Sequence, residues 1–257
     1  MEEYQAFIQK VHSKTGLDLS LYKEAQMKRR LTSLRNKRGG FRTFDHYFDA
    51  INKDQTLLQE FLDKVTINVS EFYRNPSRWS VLEKEIFPKL KAKKDKIKIW
   101  SAACSTGEEP YTLAIIASKF WQTTEVDILA TDIDDNVIAR AKQGIYNERA
   151  VQDVPEEMKE RHFIQQGNTY KVKEYIKQCI TYKKHNLLAD KYPTNMDLIV
   201  CRNVLIYFTE EAKNSIYHHF SKSLADDGVF FVGSTEQIFR PEKFDLRVMD
   251  TFFYTRK

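Results

Sequence analysis

The sequence predicts an α/β fold: a mostly parallel sheet, preceded by an all-helical N-terminal domain and interrupted by a small antiparallel β insertion. Three observations carry this. Residues 1 to about 66 show only helical periodicity. From Ile97 onward, short apolar runs alternate with helical patterns, the rhythm of a parallel sheet covered on both faces. Between His162 and Tyr182 two β-like runs, Tyr170-Lys171-Val172-Lys173 and Cys179-Ile180-Thr181-Tyr182, break that rhythm.

A chain of 257 residues fits one large domain or two modest ones. With 42% hydrophobic and 30% charged residues, a sizeable core and a solvated surface are both available, which excludes a disordered or collagen-like chain. No apolar run approaches the roughly 20 residues that cross a bilayer. The start, MEEYQAFIQK, lacks the pattern of a secretory signal. Three widely spaced cysteines, Cys104, Cys179 and Cys201, suit neither a disulfide framework nor a metal site. The expected location is cytoplasmic, with no metal and no direct membrane insertion.

Within the helical part, Tyr4, Phe7, Ile8 and Val11 have helical spacing and Gly16 ends the run. A second helix is expected from the candidate N-cap Ser20 to the stop at Gly39-Gly40, with Leu21, Ala25, Leu31 and Leu34 as its apolar stripe. It concentrates charge: from Tyr22 to Arg42, eight basic residues stand against the single acid Glu24. Phe44, Tyr47, Phe48 and Ile51 follow the candidate cap Thr43. Leu57, Leu58, Phe61, Leu62 and Val65 form another face. The polar-aromatic segment Thr66–Pro76 is neither a clean strand nor a clean helix. A helix over about Ser77–Leu90 leads to the lysine-rich stretch Lys89–Lys98, read as a solvated linker. The domain spans are 1–70 (helical), 71–95 (interdomain segment and linker helix) and 96–257 (sheet domain, with a β-subdomain at about 160–184).

Strands are expected at Ile97–Ala102, Val126–Thr131, Asp197–Cys201 and Val229–Gly233, with a closing strand at Asp245–Tyr254. Helices are expected at Glu108–Trp121, Asn136–Gln143 and Glu210–Leu224. The first strand ends in Ser101-Ala102-Ala103-Cys104-Ser105-Thr106-Gly107-Glu108-Glu109-Pro110. Small residues there let a ligand approach the backbone closely at the carboxyl end of a strand. The loop is neither Gly-x-Gly-x-x-Gly nor a P-loop, and Glu108 and Glu109 suit a ligand carrying positive charge and hydroxyls. An ordinary strand-to-helix turn is the competing reading. The second strand ends in Thr131-Asp132-Ile133-Asp134, and Asp132 is placed to accept hydrogen bonds from ribose hydroxyls. The strand Asp197–Cys201 runs into Arg202-Asn203-Val204-Leu205-Ile206-Tyr207-Phe208, where Asn203 carries both donor and acceptor groups.

Four segments together resemble the CheR-type chemoreceptor glutamate methyltransferases of bacterial chemotaxis, over nearly the whole chain. They are Thr66–Arg74 with its Asn-x-Ser-x-Phe-x-Arg pattern, Ser101–Pro110, Ala130–Asp134, and Asn186-Leu187-Leu188 with Cys201–Phe208. The resemblance implies a Rossmann-like class I SAM-dependent methyltransferase sheet. It also implies S-adenosylmethionine as methyl donor, S-adenosylhomocysteine as product, and receptor glutamates as acceptors. By that likeness Asn68, Ser70 and Arg74 line the donor pocket. Glu109 and Asp132 bind the methionine amino group or ribose side, Asn186 and Leu187 flank the adenine, and Asn203 and Val204 close the site. Arg74 and Tyr207 are expected nearest the transferred methyl, in positioning roles. Receptor methylation helices are acidic by the same implication, so Lys28, Arg29, Arg30, Arg35, Lys37 and Arg38 are the expected substrate-binding residues.

A glutamate acceptor, with an ordinary pKa of about 4.3, is already ionised at neutral pH and needs no general base. In keeping with this, His12, His46, His162, His185, His218 and His219 lie outside the motifs. Aromatic neighbours such as Phe72, Tyr73, Tyr207 and Phe208 are suited to exclude water, with core packing as their other reading. Some family members hold a receptor C-terminal peptide on the β insertion, aided by a glycine-rich turn. The corresponding Gln166–Lys171 has one glycine, so tethering is expected to be weak or absent. Two rivals are weighed, and no nucleic-acid partner is expected. A nucleic-acid methyltransferase would explain the basic helix, but no Asn/Asp-Pro-Pro-Tyr/Phe loop and no Pro-Cys pair occurs. The other is a non-catalytic donor-binding regulator of receptors.

Overall fold

The computed structural model describes residues 2–37, 40–66 and 70–257. Its chain divides into two compact units, residues 1–67 with 205–216, and residues 68–204 with 217–257.

Among the described residues, 2–66 of the first unit form four α-helices, α1 (Glu2–Thr15), α2 (Glu24–Lys37), α3 (Phe44–Lys53) and α4 (Gln55–Thr66), and 210–216 begin the helix Glu210–Ser223. Gly16 takes the left-handed conformation (φ +75°) and its N–H caps the His12 carbonyl, which is why α1 stops there. Thr43 caps α3 by accepting the His46 N–H at 3.2 Å. Phe7, fully buried, is the hub of the core. Its ring lies 4.9 Å from Phe44, 6.0 Å from Phe61 and 6.3 Å from Tyr47.

The second helix departs from expectation at its start. Ser20 does not cap it. Asp18 accepts the Ser20 N–H at 3.0 Å and nucleates a separate 3-10 turn, Leu19–Leu21, and α2 begins three residues later. Its buried stripe is therefore Met27, Leu31 and Leu34, while Ala25 is exposed. Gly39, half of the expected stop, lies outside the described residues.

In the second unit, helical residues run from Pro76 to Lys91 with a π-helical stretch at Leu82–Ile86, and bury Trp79, Leu82, Ile86, Phe87 and Leu90. The lysines that follow are largely exposed, and two of them are also paired. Lys94 pairs with Asp197 at 3.0 Å, and Lys93 with Asp227 at 2.8 Å. The strands are β1 (Ile97–Ala102), β2 (Val126–Asp132), β3 (Ile145–Asn147), β4 (Phe163–Gln166), β5 (Thr169–Val172), β6 (Ile180–Lys184), β7 (Met196–Cys201), β8 (Leu224–Val232), β9 (Leu246–Asp250) and β10 (Phe253–Arg256). Among the described residues, seven of them form one sheet in the order β6-β2-β1-β7-β8-β10-β9. Neighbours from β6 through β8 are parallel, and β10 and β9 close the edge antiparallel. The strands β1, β7 and β8 are almost wholly buried, as a sheet covered on both faces requires.

Two expectations are corrected. Asp245–Tyr254 is not one closing strand but the β9–β10 hairpin, turned at Thr251-Phe252. Cys179–Tyr182 does not belong to the antiparallel insertion. Its strand β6 pairs in parallel with β2, at the edge of the main sheet, and the small sheet takes Ile145–Asn147 instead, in the order β3-β5-β4.

Chain order fixes where a ligand can enter. From β1 the chain moves outward to β2 and β6, then returns to the other side of β1 to lay down β7 and β8. The connections therefore part between the carboxyl ends of β1 and β7, the switch point where open α/β sheets bind ligands.

Candidate functional site

Two loops meet at that switch point. After β1, Ala103 (φ +64°) and Ser105 (φ +49°) both hold left-handed backbone, and Gly107 (φ +96°) opens the helix Glu108–Ala117. A side chain at Gly107 would put its Cβ 2.8 Å from Ala141 Cβ, so only glycine fits. After β7, Asn203 is left-handed too (φ +61°), as are Tyr73 and Asn75 in the segment leading into the linker helix (φ +52° and +61°). Non-glycine residues in this region cost roughly 1–3 kcal/mol each when strained. Three of them, Ala103, Ser105 and Asn203, lie in the two loops that follow β1 and β7.

The acids of the first loop have different jobs. Glu108 is closed in, accepting the Thr106 hydroxyl at 2.7 and 2.9 Å and a hydrogen bond from the Ser70 side chain. Glu109 is 13% exposed, accepts the Ser101 hydroxyl at 2.8 Å and faces Arg202 Nη1 at 3.9 Å. Burial pushes its carboxyl up to about 7, against the pull of Arg202 and Ser101. At the end of β2, Asp132 Oδ2 accepts the Ser105 N–H at 2.8 Å and Oδ1 the Asp134 N–H at 3.1 Å. Burial still pushes it up to about 6. Asp134 caps the next helix through Asn136 N–H, as expected. The Ser105 hydroxyl is buried with no hydrogen-bond partner among the described residues.

Arg202 is the strut of the site. Its guanidinium lies between the Trp79 and Phe231 rings, at 5.0 and 4.9 Å, and its side chain is 3% exposed. Its Nη2 donates to the Arg74 carbonyl at 2.7 Å and to Asn75 Oδ1 at 3.2 Å. Through this one side chain, the segment carrying Ser70 and Arg74 is tied to the ends of β1 and β7. The Arg74 side chain bears electrostatically on Glu109 and Arg202.

On the other side, the His185 N–H donates to the Asp132 carbonyl at 2.8 Å and brings in Asn186 and Leu187. Asn186 Oδ1 accepts the Leu188 N–H at 2.9 Å, so its side chain shapes the turn; Leu187, 8% exposed, is nearly buried. Phe72 and Tyr73 are core: Phe72 packs edgewise on Tyr146 at 4.8 Å, and the Tyr73 N–H donates to Thr112. Ser70, Arg74, Glu109, Asp132, Asn186, Leu187, Asn203 and Val204 all belong to the sheet unit. Asn68 lies outside the described residues.

Arg202 and Ser105 were missed as site residues by sequence reasoning. Arg202 stands inside the quoted motif, directly after a buried strand, and that position was the signal available. Among the described residues, no group of three His, Cys, Asp or Glu is arranged to hold a metal, and the three cysteines are buried thiols. No described helix is long and apolar enough to cross a membrane.

Tyr207 and the basic helix belong to the first unit. The Tyr207 carbonyl accepts the Lys23 N–H at 2.9 Å, Thr209 N–H donates to Leu21 O at 2.9 Å, and Tyr22 packs on Phe208 at 4.9 Å. Three expected cations rest on rings rather than pointing freely into water: Arg30 over Tyr207 (5.5 Å), Lys28 over Tyr4 (5.4 Å) and Arg35 over Phe44 (4.7 Å). Arg29 and Lys37 are exposed. Arg38 lies outside the described residues.

A pair of buried carboxylates with a spare hydroxyl, at the ends of adjacent parallel strands, fits a ligand with a cationic end and hydroxyls. Comparison with known proteins agrees. Residues 2–66 match the family model "CheR methyltransferase, all-alpha domain", and residues 68–253 match "CheR methyltransferase, SAM binding domain". A chemotaxis protein methyltransferase of Listeria innocua is 44% identical over 256 residues, covering 99% of this chain and 97% of its own. Its counterpart in Listeria monocytogenes is 43% identical with the same coverage. One from Borreliella burgdorferi is 35% identical over 92% of this chain and 88% of its own.

Proposed function

The chain belongs to the CheR methyltransferase family, and from that premise we propose how its own residues serve methyl transfer from S-adenosylmethionine to glutamate side chains of chemoreceptors. The family and its close relatives make it a SAM-dependent methyltransferase acting on chemoreceptors. The acceptor atom and the residue roles are our reading. The observation that carries them is the pair Glu109 and Asp132, carboxylates beyond the ends of β1 and β2 whose burial outweighs the partners they already have.

S-adenosylmethionine, when bound, supplies an electrophilic methyl on a positively charged sulfur. Glu109 and Asp132 supply the complementary charge, Glu109 toward the amino group and Asp132 toward the ribose hydroxyls, with the Ser105 hydroxyl as an added partner. Leu187 and the turn shaped by Asn186 flank the base. Ser70 lines the pocket, Asn68 keeps the pocket role that the family likeness implies, and Asn203 and Val204 close it. Arg74 and Tyr207 each keep the positioning role toward the acceptor that the family likeness implies. A glutamate acceptor arrives ionised, so no residue of the chain takes a proton. What the protein adds is alignment and exclusion of water, since water stabilises the separated opposite charges more than the neutralising transition state.

The acceptor helices of receptors dock on α2 through Lys28, Arg29, Arg30, Arg35 and Lys37, together with Arg38. The reaction takes place in the cytoplasm. Tethering of a receptor C-terminal peptide to the small sheet is weak or absent. The support is the single glycine, Gly167, in the β4–β5 turn. Ile145 and Ile164, about half exposed on that sheet, are the surface such a peptide would lean on.

The test is transfer of labelled methyl to receptor-containing membranes, with nucleic acid as a parallel acceptor. The expected result is label in receptor glutamates, released as methanol by mild base. Label in nucleic acid, or base-stable label, contradicts it.

A further inference from the structure

The loop after β8 contains a buried acid that the proposed function leaves without a role. Glu236 is 4% exposed. Its Oε2 accepts two backbone N–H groups, from Asn203 at 2.5 Å and from Gly233 at 2.9 Å. Gly233 follows directly on β8, and Asn203 stands two residues past the end of β7, so one carboxylate oxygen clamps the ends of two adjacent strands together. The clamp closes on a strained point, because Asn203 is held at φ +61°. An N–H of a left-handed residue just outside a strand has no ladder partner, and Glu236 supplies one with a full negative charge. The fit is tight: a Cβ on Gly233 would collide with the same oxygen and stand 3.0 Å from the Asn203 nitrogen. Glu236 also bears on Glu109 and Arg202, so its charge belongs to the field of the donor crevice.

We propose that Glu236 is a positioning residue for donor binding: it holds Asn203 in the left-handed turn that follows β7, and Gly233 is glycine to leave room for that bond. The proposal rests on the assignment of Asn203 to the donor pocket. Glu236 acts through Asn203 and touches no reacting atom. Glutamine keeps one acceptor oxygen at the same reach and alanine keeps none, so the two substitutions separate a hydrogen-bonding clamp from simple filling of space.

Titration calorimetry of the full chain with S-adenosylhomocysteine, alongside methylation kinetics, tests it. Wild type binding the product establishes the donor reading; no binding by wild type sinks that reading and not merely the clamp. Given wild-type binding, Glu236→Ala is expected to weaken affinity at least tenfold and raise the donor KM in step, with the receptor KM unchanged, while Glu236→Gln stays within about threefold. Gly233→Ala, which crowds the same oxygen from the other side, is expected to reproduce the alanine phenotype. Should Glu236→Ala fail to fold, Gly233→Ala against Glu236→Gln carries the same comparison. Wild-type donor affinity in both Glu236→Ala and Gly233→Ala, or equal losses for donor and receptor KM, overturns the proposal.

Discussion

The helical unit and the sheet unit both carry clustered charge, and they use it in opposite ways. On α2 the cations sit at the surface, Arg29 and Lys37 in water and Lys28, Arg30 and Arg35 laid over aromatic rings. At the strand ends the acids are buried, held by Ser101, Ser105 and Arg202, and pushed toward neutrality. Surface charge acts at long range, is screened by salt and contributes little per residue. Buried charge is screened far less by salt and water, and it is costly unless a partner arrives. The first arrangement suits catching and orienting a large acidic partner. The second suits gripping a small cation in one pose. A bisubstrate enzyme needs both.

The comparison is broken most severely by removing a buried acid. Asp132→Ala is expected to weaken donor binding by roughly 100-fold, the loss of two charge-assisted hydrogen bonds. Unchanged affinity by calorimetry would take Asp132 out of the site.

Protons provide a milder version of the same cut. A bound cation favours the charged carboxylates, so donor binding releases protons and strengthens as pH rises through the free values of about 7 for Glu109 and about 6 for Asp132. Donor affinity should fall roughly 10- to 20-fold between pH 8 and pH 6. Calorimetry in buffers of different ionisation enthalpy should show net proton release near pH 6.5; no release, or uptake, would reverse the sign. Linkage in the ligand-free protein runs the other way. Carboxyls whose folded pKa is raised contribute stability that declines as pH climbs from about 4 to about 7, and saturating product should flatten that decline.

Surface charge should cost less. Arg29→Glu with Lys37→Glu is expected to raise the receptor KM about fivefold at low salt, with donor affinity intact, and the difference should shrink at about 0.5 M salt. A salt-independent defect would point to a folding effect. The smallest expected effect is none: an isolated receptor tail peptide should give no measurable heat with the full chain. Tight binding that is lost in Ile164→Asp would restore the small sheet as a tether.

What is legible in the sequence follows from the same contrast between local and distant causes. β1 and β7 are legible because a strand buried on both faces is mostly apolar, with only Lys98 and Ser101 in β1 and Asp197 in β7 as polar interruptions, and the acids at strand ends because small residues and carboxylates are contiguous there. β6 misleads: its burial alternates and its lysines face solvent, which looks antiparallel although the strand merely sits at an edge. The α2 start is misplaced because Asp18, not Ser20, accepts the local N–H, leaving a break before Glu24. Arg202 and Glu236 are invisible for a different reason. Arg202 acts on a residue 128 positions away and Glu236 on one 33 positions away, and no local pattern encodes such a bond.

The central claim is methyl transfer to an acceptor that is already ionised, in a crevice that aligns and desolvates without taking a proton. The most direct measurement is kcat for receptor methylation against pH at saturating donor. A flat profile from about pH 6 to 9, with label released as methanol by base, is the predicted result. A kcat that climbs to a plateau through a single ionisation near neutrality would identify a general base and contradict the account.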